Sequence, residues 1–243
     1  MPDKITSLGI MQPYFFPYIG YFSLIKSTSF WVVFDQIQFI RHGWIERNRI
    51  LGPSANWQYI KVPLVKHSRD TLIREVEIRN TENWKQKIFG QLTCYKKKAP
   101  YYNQVLAFLE NSFKLETNSI TKLNAHLLNQ ACLFIGLDFS YQILSEMDIE
   151  MDEVQDAGEW ALNISKALGA KTYINPMDGM PIFDSNKFQN ANIELLFLKS
   201  EVAPYNQKRT SFEPGLSIID VMMFNSPEEI LKMIDSYTLI NNG

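Results

Sequence analysis

The sequence predicts an α/β fold: a Rossmann-like, mostly parallel sheet flanked by helices, with a small antiparallel β insertion. Three observations lead there. Short apolar runs alternate with longer amphipathic ones, as in βαβ units. The first apolar run enters a proline-rich loop and then a helical pattern, giving strand, rigid turn, helix. Between residues 44 and 78 the alternation yields to segments of period two, which read as antiparallel strands leaving the sheet.

The elements follow in chain order. Ser7 to Met11 is the first strand. The next stretch, Gln12-Pro13-Tyr14-Phe15-Phe16-Pro17-Tyr18-Ile19-Gly20-Tyr21-Phe22, is dense in aromatics. Pro13 and Pro17 fix φ there, and Gly20 allows close backbone approach. Gly20 to Ser27 is the first helix and Phe30 to Asp35 the second strand. Gln58 to Val62 and Leu72 to Ile78 are the strand candidates of the insertion. Residues 80–135 form a helical segment, with helices at Glu82 to Tyr95, Tyr102 to Phe113 and Ser119 to Ile135. Strands at Phe139 to Ile143, Thr172 to Asn175 and Glu194 to Phe197 alternate with helices at Val154 to Leu168 and Asn186 to Asn190. Leu216 to Met222 reads as an amphipathic helix with Ser217 and Asp220 on its polar side. Ser226-Pro227-Glu228-Glu229 opens the last helix with an N-cap, a proline at the first position and a capping-box glutamate. No linker or repeat interrupts the 243 residues, so one α/β domain is expected.

Composition narrows the function classes. A formal net charge of −2 gives no general attraction to nucleic acid or anionic membrane. No apolar run is long enough to span a bilayer, and Met1-Pro2-Asp3-Lys4 does not open a signal peptide. Cys94 and Cys132 form no motif, which fits a reducing compartment. A cytoplasmic protein is expected. His42, His67 and His126 have no metal-ligand spacing, and no Walker loop, G-x-G-x-x-G or G-x-S-x-G is present. No metal is expected, and the sequence identifies no cofactor. The oligomeric state is open, a homo-oligomer included.

Candidate site residues gather where strands end, because loops leaving the C-terminal edge of a parallel sheet hold ligands. Gln12, Tyr14 and Tyr18 follow the first strand. Asp35 ends the second, with Gln38 close behind. Asn175 and Asp178 follow the fourth. Residues 41–69 hold six cations and one acid. Within them, Gly43 to Ile50 alternates if extended, placing Trp44, Glu46 and Asn48 on one face and Ile45, Arg47 and Arg49 on the other. Paired guanidinium groups suit phosphate or carboxylate; surface arginines bonded to acids are the plainer alternative. His42 beside Gly43 is a candidate acid or base. Residues 146–159 hold seven acids and no cation, which reads as a solvated surface.

Assembled in order, these blocks resemble the WbqC-like family. The first block is similar to the family's opening H-Q-P-x-x-x-P-x-x-G-Y-F, with Met11 at the position of the histidine. Asp35-Gln36-Ile37-Gln38-Phe39, Gly43 to Ile50, Tyr95 with Ala99-Pro100-Tyr101, Leu168-Gly169-Ala170 before Tyr173, Pro204-Tyr205-Asn206-Gln207 and Phe212 to Asp220 complete the likeness. The resemblance implies bacterial surface-polysaccharide (O-antigen) biosynthesis and amide-forming aminoacyl or acyl transfer to a nucleotide-linked amino sugar. On that expectation Gln12, Asp35 and Gln38 hold sugar hydroxyls or the acceptor amine. Arg47 and Arg49 hold the diphosphate, Tyr14, Tyr18 and Trp44 stack on base or sugar, and Asp35 or His42 removes the proton. The acyl donor is unidentified. The competing expectation is a non-catalytic sugar-nucleotide-binding or scaffold protein.

Overall fold

The computed structural model describes residues 5–54 and 56–241. The strands are β1 (Ser7–Met11), β2 (Phe30–Val33), β3 (Arg47–Leu51), β4 (Trp57–Lys61), β5 (Tyr141–Ile143), β6 (Thr172–Pro176), β7 (Glu194–Ser200) and β8 (Tyr237–Asn241). The helices are α1 (Ile19–Ser27), α2 (Trp84–Leu92), α3 (Tyr102–Ser112), α4 (Ile120–Ile135), α5 (Glu159–Ala167), α6 (Ser185–Asn190), α7 (Ile218–Phe224) and α8 (Pro227–Ile234). The fold is α/β, as the sequence predicts: a six-stranded, mostly parallel sheet with helices on both faces, plus the separate antiparallel pair β3–β4.

The sheet runs β5-β2-β1-β6-β7-β8, parallel throughout except at β7–β8. Counted along the chain, its strands lie in the order 3-2-1-4-5-6, that of a doubly wound sheet. Both faces are covered, so the central strands β1, β2 and β6 are largely buried, while the edge strands β5 and β8 are not. Phe30, Val32, Tyr173, Leu195 and Phe197 pack with residues of α5 and α6. Trp31, Val33, Ile174 and Leu198 pack on the other face, with α1, the hairpin and α2–α4, α7 and α8. Because α1, which follows β1, and α6, which follows β6, take opposite faces, a crevice opens between the ends of β1 and β6, where the winding reverses.

Several boundaries differ from expectation. Leu72 to Ile78 is no strand. The Glu75 carboxylate accepts the Leu72 N–H at 3.1 Å and the chain tightens into one 3-10 turn at Ile73–Glu75. Its flanks make only single bridges, Gln38 with Leu72, Leu64 with Ile78 and Glu77 with Ser119. The partner of β4 is instead β3, with Arg49 opposite Tyr59. The acidic stretch delays α5 to Glu159 rather than starting it near Val154. Four of its seven acids are paired: Glu146 with Lys122, Asp152 with Lys166, and Asp156 and Glu159 with Lys187. Helix α7 is buried on all sides, not amphipathic. The edge strand β8 was not anticipated. The capping box of α8 forms as predicted, with Ser226 and Glu229 exchanging bonds with each other's backbone N–H.

Candidate functional site

The β1–α1 loop is rigid because other elements hold its carbonyls. The Asn48 amide donates to the carbonyls of Phe15 and Phe16 at 3.0 and 2.9 Å. The Asn124 amide, from α4, donates to those of Pro13 and Ile45, both at 2.8 Å. Ser217 Oγ donates to Phe16 O at 2.8 Å, and Ile218 N–H to Pro17 O at 2.9 Å. Phe16 has φ +43°, a conformation that side-chain-bearing residues avoid unless surrounding bonds fix it. Phe15 and Phe16 point into the core.

The loop forms one wall of a cavity of roughly 690 Å³ at the switch point. Met11, Gln12, Tyr14 and Tyr18 contribute from the β1 side, and Asn175, Asp178, Gly179 and Phe183 from the β6 side. Trp44, Asn48, Arg49 and Gly215 close one flank, and Phe34 and Trp160 another. The lining is largely apolar and rich in aromatics, with a few polar groups, as ligand sites commonly are. Burial raises the pKa of the Tyr14 hydroxyl. It also raises that of Tyr18, with added effects from Asp178 and Tyr14. Both are therefore protonated donors at neutral pH. The Gln12 side-chain amide bonds no described residue, while the Gln12 backbone carbonyl accepts the Tyr21 hydroxyl at 2.6 Å. Asn175 donates to the Tyr173 hydroxyl at 2.6 Å. Its side-chain oxygen lies 2.1 Å from where a Cβ on residue 179 would stand, so a larger residue there would push the Asn175 amide aside.

Two charged side chains line the cavity, Arg49 and Asp178. The Arg49 guanidinium lies 5.5 Å from the Trp44 ring and 5.3 Å from the Trp57 ring. It donates to Gly215 O at 3.1 Å, and its Nε is buried without a partner. Arg47 is on the same face of β3 but serves elsewhere. It stacks 4.0 Å over Tyr59 and donates to His42 O, and it does not line the cavity. The two arginines thus share a strand face without converging in the cavity. The expected alternation also fails before Arg47: the strand starts there, and Trp44 reaches the same cavity as Arg49.

Three more expected residues stand apart from this cavity. Asp35 is buried, its carboxylate accepting the Ser145 N–H at 3.1 Å and the Ser145 hydroxyl at 2.6 Å. Burial raises its pKa, opposed by those bonds. Gln38 is exposed and donates to Arg69 O at 2.8 Å. His42 is exposed at φ +61°, its N–H held by Glu46 at 2.8 Å. Asn48 lines the cavity, yet its amide is engaged by the loop. Sequence reading missed Phe34, Trp160 and Phe183, because an aromatic beside a strand end or in a helix looks like core. Among the described residues, no group of His, Cys, Asp and Glu could hold a metal ion.

Residues 12–232 match the WbqC-like protein family, nearly the whole chain. The chain belongs to that family. A protein of Mycobacterium tuberculosis described as uncharacterized is 27% identical over 224 residues, 91% of this chain and 94% of that one. No solved structure matches. No helix among the described residues is long and apolar enough to cross a membrane. The matched span contains both rims of the cavity and every polar residue named in it.

Proposed function

We propose that this WbqC-like protein binds an amino sugar in the switch-point cavity and acts as a transferase of bacterial surface-polysaccharide biosynthesis. The carrying observation is the pairing of aromatic walls with a few hydrogen-bonding groups, Gln12, Tyr14, Tyr18 and Asp178, at the crevice between β1 and β6. Aromatic faces suit the apolar faces of a sugar ring, and the polar groups suit its hydroxyls and amine. The reaction joins the sugar amine to an acyl carbon. A C–N bond forms, the bond from acyl carbon to leaving group breaks, and the leaving group takes the electron pair. The amine must lose its proton. Asp178 is the carboxylate that lines the cavity and takes that role here, in place of Asp35 and His42.

The test incubates the protein with nucleotide-linked amino sugars and activated acyl donors and weighs the products. Transfer yields an N-acylated sugar whose mass rises by the acyl group less one hydrogen, and Asp178→Asn abolishes it. One observation favours a second reading, a non-catalytic binder of the same ligand: the residues expected to move the proton lie off the cavity, and Met11 stands in its wall with no proton to exchange. A binder gives a calorimetric signal with the sugar and leaves every mass unchanged.

A further inference from the structure

The switch-point cavity is poorly built for a diphosphate. In many doubly wound folds a diphosphate sits on the first turn of the helix after the first strand. Here the Tyr18 ring lies against Gly20 in that turn, close enough that a Cβ on Gly20 would be 2.4 Å from it. The cavity's one guanidinium, Arg49, shares it with one carboxylate, Asp178, so the lining carries no net positive charge. Arg47 is turned away.

A second opening has the opposite character. A cleft of roughly 580 Å³ is lined by Pro53, Ser54, Lys98, Lys208, Arg209, Thr210 and Ser211. It holds three cations and no acid, in a chain whose net charge is −2. Lys98 and Lys208 form no ion pair among the described residues. The hydroxyls of Ser54, Thr210 and Ser211 bond no described residue. Arg209 is fixed: its guanidinium donates to the carbonyls of Gly52, Ser54 and Asn56, which orders the floor of the cleft and keeps its charge there. Lys98 and Arg209 also line a small pocket with Cys94 beside the cleft; burial raises the Cys94 thiol's pKa, and the two cations act against that rise. Lys208 stands at φ +53°, its N–H held by the Asn206 side chain at 2.9 Å. Free ammonium groups and hydroxyls around a fixed guanidinium match the acceptor oxygens of phosphate.

We propose that this cleft is a phosphate subsite, taking a phosphate or diphosphate group that the switch-point cavity does not. The same two chain segments border both openings. Arg49 and Gly215 line the cavity, Pro53 and Ser211 the cleft. Arg49 and Pro53 are four residues apart, at most about 14 Å along an extended chain. One sugar–diphosphate ligand can therefore reach both; that extension rests on the proposed function, while phosphate binding in the cleft does not.

The experiment titrates pyrophosphate into the full chain by calorimetry at low ionic strength. Lys98→Ala/Lys208→Ala leaves the fold intact, because both side chains are exposed. It lowers pyrophosphate affinity by at least about 10-fold, and Lys98→Arg/Lys208→Arg restores most of it. Absence of pyrophosphate binding by the wild type, or equal affinity in the alanine variant, overturns the proposal. A second arm uses uridine diphosphate N-acetylglucosamine with the same variant and with Trp44→Ala. If the phosphate belongs to the cavity's own ligand, both variants weaken binding of that probe. If the cleft takes free phosphate, only the lysine variant loses pyrophosphate and the sugar nucleotide is indifferent to it.

Discussion

The end of β2 and the facing ends of β1 and β6 are alike on paper and opposite in the folded chain. Each carries a polar residue at its carboxyl end: Asp35 just past β2, Gln12 just past β1, and Asn175 as the second-last residue of β6. Asp35 is sealed, both carboxylate oxygens held by Ser145 on the turn after β5. Gln12 and Asn175 face an open cavity. The difference lies in the winding. Beside β2 the next strand out is β5, whose connection folds back over the strand end. Between β1 and β6 the helices depart to opposite faces, and nothing fills the gap. A place at the carboxyl edge is thus not enough to make a site; the reversal of winding decides.

Sealed polar groups should govern stability and open ones affinity, and three measurements test that division. The largest effect is expected at Asp220, another sealed carboxylate. It is buried on α7 and accepts the hydroxyls of Tyr95, at 2.6 Å, and Tyr205, and the Gln207 amide at 3.0 Å. Burial is the main cause that raises its pKa from 3.8 to about 6, against the pull of those donors. The folded state then holds the proton more tightly than the unfolded chain. Its contribution to stability is full below the unfolded value and lost as pH rises through about 6. That amounts to up to about 3 kcal/mol. Urea unfolding from pH 4.5 to 7.5 should show this loss, and Asp220→Asn should flatten it.

Next in size is Asp35→Ala, which strands two donors of Ser145. It should cost about 2–3 kcal/mol in denaturant unfolding and change ligand affinity by less than about twofold. A large fall in affinity with stability intact would return Asp35 to the site and break the comparison. The smallest effect on the fold, and a clear one on binding, belongs to Arg49. Arg49→Ala should weaken binding of a nucleotide-linked amino sugar about 10-fold or more. Arg47→Ala, beside it on the same strand face, should change it little. Equal losses by calorimetry would mean that the two arginines act as the fork their spacing predicts.

Much of the architecture was legible because buried parallel strands are short apolar runs. The β1 bounds match the sequence expectation, and β2, β6 and β7 start where it placed them. What misled was local pattern overruled from a distance. Leu72 to Ile78 alternates like a strand, but the Arg74 N–H is claimed by Asp35 O and the Ile73 N–H by Ile37 O, so no ladder forms. Asp220 looks like the polar side of a surface helix, and only its tyrosine partners, 125 and 15 residues away, make it a core residue. In the candidate site, Gln12, Tyr14, Tyr18, Asn175 and Asp178 come together at the strand ends, and Trp44, Asn48 and Arg49 reach the same cavity from the patterned stretch around β3. Asp35, Gln38, His42 and Arg47 do not join them, because which neighbour claims a polar side chain is a long-range fact.

The clamps on the β1–α1 loop also set a timetable. Pro13 is bonded by Asn124, 111 residues on, and Phe16 by Ser217, 201 residues on. Closing such long spans is entropically costly and slow compared with local structure. On the ribosome, the wall of the cavity therefore cannot be set until α7 has emerged, when most of the chain is already made. Nascent and truncated chains ending before residue 217 carry the strands and aromatics of the site without its shape, so binding competence is a late event in the life of each molecule.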